Sequence, residues 1–179
     1  MKLTIDAAGL VPEIRQVPSP NCDARPADIA IELIVIHNIS LPPGEFGGAA
    51  IEQLFTNTLD CAAHPYYTAL ENLRVSAHFL IRRDGALTQF VACGLRAWHA
   101  GESNWRGRAG CNDYSIGIEL EGADNQAFAD AQYDALGALA RALRARYPVT
   151  EITGHSDIAP ARKTDPGPCF DWARLHAMA

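Results

Sequence analysis

From Ile31 to Ile36 the chain is almost unbroken apolar and β-branched, which predicts a strand buried on both faces. The run gives way at His37-Asn38. Leu41-Pro42-Pro43-Gly44-Glu45-Phe46-Gly47-Gly48 follows, and its prolines and glycines force a loop. Ile51, Leu54, Phe55 and Leu59 then share one face of a predicted helix. From Val75 to Ile81 the apolar positions alternate, with Val75, Ala77, Phe79 and Ile81 expected on one side of a strand. Asp84-Gly85 marks a hairpin turn into a partner strand over Leu87 to Val91. Ile116, Ile118 and Leu120 give another alternating strand. The longest helix is predicted from about Asp130 to Tyr147, burying Leu136, Leu139, Ala140 and Leu143, with Pro148 ending it. A short strand near Ile152 leads into Gly154-His155. A proline-rich loop then runs from Ile158 to Pro168, and a last short helix from Phe170 to Met178.

Strands alternating with helices, plus one hairpin, predict an α/β fold with a mixed central β-sheet flanked by helices. A length of 179 residues suits one domain, expected over 1–179, and is short for two. Residues 1–30, rich in Pro, Asp and Arg, are expected to form an irregular arm packed on it. The net charge of −6 argues against a nucleic-acid partner, which calls for a basic surface. No stretch approaches the roughly 20 apolar residues of a membrane span. Asp6 interrupts the only apolar start, so no secretory signal is expected. The five cysteines are odd in number and lack a C-x-x-C pair, which fits a reducing compartment, and a cytoplasmic location is expected.

His37 stands where the buried strand meets a loop, and His155 follows a glycine at the end of another strand. Sites in open α/β sheets gather at such strand ends. Asp165 lies ten residues beyond His155, and two histidines with one carboxylate are a common ligand set for catalytic zinc. From spacing alone the signal is weak, and caps and surface residues are the plainer reading of the three. In Ser115-Ile116-Gly117-Ile118-Glu119-Leu120-Glu121 the polar residues share one face, with a glycine making room for a ligand. A solvated edge strand is the plainer reading of that acidic face, and the pattern does not separate Glu119 from Glu121. Lys163, two residues before Asp165, reads as an ordinary surface lysine or, in a loop that supplies a metal ligand, as a group able to reach a substrate carbonyl. Trp98-His99 before Gly101 suits a sugar site. Trp105 is a candidate cover for the pocket mouth. His78 reads as a packed, hydrogen-bonded histidine, and His64 and His176 as surface residues. The cysteines read as small buried hydrophobes, with Cys169 near enough to Asp165 to be an alternative ligand.

Five strings, in order from about Val17 to Trp172, carry a resemblance. They are His37 to Phe46, Arg74-Val75-Ser76-Ala77-His78, Arg96-Ala97-Trp98-His99-Ala100-Gly101, Cys111 to Gly122, and Thr153-Gly154-His155 through Arg162-Lys163-Thr164-Asp165-Pro166-Gly167-Pro168. The chain resembles the AmpD family of bacterial zinc amidases, relatives of peptidoglycan recognition proteins and amidase-type phage lysozymes. The resemblance implies that His37, His155 and Asp165 bind Zn2+, that Glu119 is the general base and that Lys163 steadies the oxyanion. It also implies that Asn38 and Arg74 contact the substrate, with the planar Arg74 guanidinium pairing with a stem-peptide carboxylate. The implied reaction is hydrolysis of the amide between the lactyl group of 1,6-anhydro-N-acetylmuramic acid and L-alanine in muropeptides, within peptidoglycan recycling. No membrane or obligate protein partner is implied. One departure is Gly110, where the family often has arginine; Arg106 and Arg108 are the nearby candidates to replace it. Two other classes remain open at this point, a non-catalytic peptidoglycan-binding module and a Cys/His hydrolase.

Overall fold

The apolar run becomes β3 (Leu33–Ile39), and it is enclosed on both edges by parallel neighbours. The computed structural model describes residues 2–179. Before β3 come two short strands, β1 (Arg15–Gln16) and β2 (Cys22–Ala24). After it follow α1 (Ala50–Phe55), α2 (Pro65–Thr68), β4 (Phe79–Ile81), β5 (Leu87–Gln89) and β6 (Leu95–Ala97). A small hairpin of β7 (Asn104–Trp105) and β8 (Arg108–Ala109) precedes β9 (Ser115–Glu121). The chain closes with α3 (Asp130–Arg146), β10 (Glu151–Gly154), α4 (His155–Ile158) and α5 (Trp172–Met178). The main sheet has the order β1-β5-β4-β9-β3-β10 and is mixed: β4 and β5 pair antiparallel, the other neighbours parallel. The mixed sheet flanked by helices is the fold expected from the pattern. Residues 2–30 lie against this sheet through β1, which pairs with β5, while β2 pairs with β6 in a separate ribbon.

Alternation sorts the side chains into two layers. Ile34 and Ile36 of β3, Phe79 and Ile81 of β4, and Ile116, Ile118 and Leu120 of β9 pack under α3 and α5. Buried Leu136, Leu139, Ala140 and Leu143 supply the helix side of that layer, as the sequence predicts. Gln132 on α3 donates to Ile81 O (3.3 Å) and Glu121 O (3.0 Å), tying the helix start to two strand ends. The opposite face carries Leu33 and Val35, then His37, and is roofed by loops instead of a long helix. That uneven cover leaves one end of the sheet available for a pocket.

Two expectations are corrected here. The strand predicted from Val75 is only Phe79–Ile81, and Val75 and Ala77 join the cluster on the second face with Leu80 and α1. The backbone there is claimed by other partners: Ser76 N donates to Trp98 O and His78 N to Gly117 O. The helix predicted through Leu59 ends at Phe55, because Asn57 takes a left-handed φ of 59° that breaks the ladder.

His78 is buried, as expected. Its Nδ1 accepts from Gly117 N at 3.0 Å and its Nε2 faces Leu95 O at 3.1 Å. Burial first, and the adjacent Arg25 guanidinium second, hold its pKa down at about 3. Between pH 6.5, near the unfolded value, and pH 3 the unfolded chain therefore carries the extra proton. Stability from this group is full above pH 6.5 and falls as the pH drops, by about 1.4 kcal/mol per pH unit. In His78→Asn the amide oxygen keeps the Gly117 contact without the titration. Denaturant titrations of both proteins across that range should show the variant's pH slope shallower by about one proton. Identical slopes would refute the assignment.

Candidate active site

The register of the parallel strands builds the site. His37 of β3 lies directly opposite Glu119 of β9, so the two side chains emerge side by side on the second face. Gly154, the last residue of β10, pairs with Ile36, which sets His155 one step past the same end of the sheet. Ser156 N donates to Asp165 O at 2.9 Å and folds the proline-rich loop back over that end.

Three donor atoms meet there. His37 Nδ1 lies 2.9 Å from His155 Nδ1, and Asp165 Oδ2 lies 3.1 Å from each. Both histidines are buried. Burial above all holds His37 down at about 4, so its imidazole is neutral at pH 7. His155 Nε2 faces Ala100 O at 3.2 Å, a contact in which only the nitrogen can donate, so the bare lone pair of His155 points into the cluster. A carboxylate oxygen and an imidazole lone pair converging this closely repel one another unless a cation lies between them. The three residues can hold a metal ion, and their chemistry, two nitrogens and one oxygen, suits a divalent transition metal.

Glu119 is buried beside them, and its Oε2 has no hydrogen-bond partner among the described residues. Burial pushes its pKa well above the usual carboxylate range; Asp165 adds to the rise and Lys163 opposes it. A carboxyl whose pKa is shifted up toward neutrality suits a group that must take a proton and later return it. Glu121, indistinguishable by alternation, is fully occupied instead. It accepts from Gly47 N (2.7 Å), Arg82 Nη1 (2.8 Å) and Arg83 N (3.2 Å). The structure thus separates the two glutamates by their partners.

His37, His155, Asp165, Glu119 and Lys163 all line one cavity of about 620 Å³, a size usual for a small-molecule site. Asn38, Arg74, Trp98 and His99 line it as well. Asn38 Nδ2 donates to Asp124 Oδ1 (2.6 Å) and Pro166 O (3.0 Å), which leaves its amide oxygen for another partner. Arg74 sits exposed on the rim, and among the described residues it is bonded only to the Glu71 and Leu73 carbonyls, at 3.1 Å each. Trp98 is half-buried in the wall. His99 is buried behind His37, with its Nδ1 2.9 Å from His37 Nε2.

Several side chains were not singled out by the sequence. Tyr66, Leu70 and Leu73 supply an apolar wall around α2, and no motif marks them. Arg162 Nη2 donates to Ala100 O (2.7 Å) and Glu102 O (2.8 Å), pinning the loop after Trp98; its only signal was adjacency to Lys163. Trp105, expected over the pocket mouth, lines a separate shallow groove with Ile152 and Trp172, because the β7–β8 hairpin carries it away. The same hairpin directs Arg106 to Glu151 and Arg108 to Glu32, each at 2.7 Å, so neither replaces an arginine at Gly110 in this cavity. All five cysteines are free, and Cys169 is exposed outside the cavity lining. His64 accepts from Tyr66 N at the start of α2, and His176 is exposed beside Trp172.

A family model described as N-acetylmuramoyl-L-alanine amidase matches residues 27–168, a stretch that contains every one of these site residues. The chain is 59% identical over 172 residues to the 1,6-anhydro-N-acetylmuramyl-L-alanine amidase AmpD of Citrobacter freundii, covering 95% of this chain and 92% of that one. The chain belongs to the N-acetylmuramoyl-L-alanine amidase family. This amidase also superposes on a crystal structure of a selenomethionine AmpD derivative with a TM-score of 0.94 at 58% identity, covering 96% of this chain and 97% of that one. A more distant neighbour is the Escherichia coli amidase AmiD in complex with anhydro-N-acetylmuramic acid-L-Ala-D-γ-Glu-L-Lys. It has a TM-score of 0.62 at 32% identity, covering 86% of this chain and 60% of that one. Membership makes the chain a hydrolase acting on an amide.

Proposed function

We propose that this amidase is zinc-dependent and hydrolyses the bond between the lactyl group of 1,6-anhydro-N-acetylmuramic acid and L-alanine of muropeptides, in cytoplasmic peptidoglycan recycling. The observation that carries the reading is the meeting of three metal-donor atoms beside a buried, unpartnered carboxylate oxygen. Close relatives named for the same reaction, and a neighbour crystallised with an anhydro-muropeptide, support the substrate class. No helix among the described residues is long and apolar enough to cross a membrane.

His37, His155 and Asp165 hold the zinc, which when bound supplies Lewis acidity toward the scissile carbonyl and toward water. Glu119 takes a proton from the attacking water as its oxygen bonds to the carbonyl carbon. The same carboxyl then passes that proton to the alanine nitrogen as the C–N bond breaks, leaving a free lactyl carboxylic acid and a free peptide amine. The Lys163 ammonium offsets the negative charge that builds on the carbonyl oxygen. Arg74 on the rim pairs with a stem-peptide carboxylate, and Trp98 with the apolar wall of Tyr66 and Leu70 packs the sugar and peptide.

Mass spectrometry of products from anhydro and non-anhydro muropeptides, with and without chelator, tests this. Release of free peptide from the anhydro substrate, abolished by chelation and restored by zinc, is expected. Intact substrate after incubation with zinc-loaded protein would leave only a binding module.

A further inference from the structure

A metal cradle of this kind requires each histidine to present a bare nitrogen. His155 has its tautomer fixed by a backbone carbonyl, whereas His37 does not. The Nε2 of His37 meets another imidazole, His99 Nδ1, at 2.9 Å, and in such a pair either nitrogen can be the donor. The direction is settled two contacts further back. Ser115 Oγ lies 2.6 Å from Cys111 O, which can only accept, so the hydroxyl proton is committed there. Toward His99 Nε2, 3.2 Å away, Ser115 Oγ is then left as the acceptor. His99 therefore carries its proton on Nε2 and is bare on Nδ1. It follows that His37 donates through Nε2, and its bare Nδ1 is the atom turned toward His155 and Asp165.

We propose that His99 and Ser115 are positioning residues: the chain from the Cys111 carbonyl through Ser115 and His99 fixes the tautomer of His37 and so prepares the metal cradle. The proposal rests on the metal reading above. It assigns His99 to His37 and not to the sugar. The surroundings are shaped for it. A Cβ on Gly117 would lie 2.4 Å from His99 Cγ, so glycine at that strand position is what admits the imidazole. Asn112 Oδ1 accepts from both His99 N (3.2 Å) and Ala100 N (2.8 Å), fixing the backbone on which the ring stands. Three successive inward positions of β9 thus have distinct tasks: Ser115 orients the proton chain, Gly117 gives it room and Glu119 carries the reaction's proton. Ser115 is fully buried at the base of this stack.

Nitrogen-15 NMR of the imidazoles in metal-free protein reads the tautomer directly, and chelator competition reads zinc affinity. In the unmodified protein His37 should be protonated on Nε2. His99→Leu keeps the bulk but removes the acceptor; the Nε2-protonated form should be lost and the zinc Kd weakened by about 10–100-fold, the usual effect of such outer partners. His99→Asn places an amide oxygen where Nδ1 stood and should recover most of the affinity. Ser115→Ala, the smaller change should His99→Leu fail to fold, should shift the tautomer in the same direction. A His37 protonated on Nδ1 in the unmodified protein, or an unchanged zinc Kd in folded His99→Leu, overturns the proposal. A protein that binds no zinc at all defeats the metal reading, while the metal-free spectrum still decides the tautomer chain.

Discussion

Glu119→Gln lowers kcat by about 10²–10⁴-fold, the range over which a positioned proton carrier contributes, while zinc content stays at the unmodified level. The amide has the shape of the carboxyl but can neither take a proton from water nor hand one to the departing nitrogen. Burial already disfavours the charged form of Glu119, and its Oε2 has no partner to lose, so the variant folds at least as well. Glu121→Gln is the informative companion. It weakens the contact with Arg82 and the acceptors for Gly47 N and Arg83 N, which lowers stability by roughly 1.5–3 kcal/mol, the value of a charge-assisted hydrogen bond. At a temperature where it remains folded, its kcat is retained. Steady-state kinetics and thermal melts of the two variants make the comparison. Wild-type turnover in Glu119→Gln would remove that residue from the reaction.

His37→Ala abolishes zinc binding, measured as metal per chain by elemental analysis, and turnover falls with it. Lewis-acid stabilisation of about 4 kcal/mol, at 1.36 kcal/mol per factor of ten, sets the loss at about 10³-fold or more. Chelation of the unmodified protein produces the same loss, reversed by added zinc. The variant stays folded, because the second-face layer around Leu33 and Val35 is untouched and the deleted ring lay at the pocket end of the sheet. A chelated protein that still cleaves at full rate would put the chemistry on Glu119 and Lys163 alone.

Much of this site is legible in the amino-acid sequence. The run Ile31–Ile36 read as an enclosed strand, which β3 bears out, but the strand runs on to Ile39, so His37 stands inside it, paired with Glu119, and not at the junction with a loop. The Asp84-Gly85 turn declared its hairpin, and Gly85 takes the positive φ of 83° such a turn needs. The strings shared with a known family named His37, His155 and Asp165, and the fold brings their donor atoms within 4.8 Å of one another. Local pattern failed where backbone partners came from far away. Val75 and Ala77 alternate like a strand, but the backbone of that segment is bonded to Trp98 and Gly117, so the strand begins only at Phe79.

The order of the main elements and the buried face of most of them were legible from periodicity, because those depend on neighbours within one helical turn or two strand positions, whereas the metal and proton-carrying residues were named only by the family resemblance. The task of each side chain on the polar face of β9 was decided only in three dimensions. Glu119 and Glu121 leave the same side of the same strand, yet one meets a metal cradle and the other Arg82, supplied by a separate strand turn. His99, Trp105, Arg106 and Arg108 depended in the same way on where two loops and a hairpin settled. A side chain's chemistry belongs to its residue type, but its pKa, proton position and partner belong to groups distant in sequence that folding alone brings within 3 Å or so.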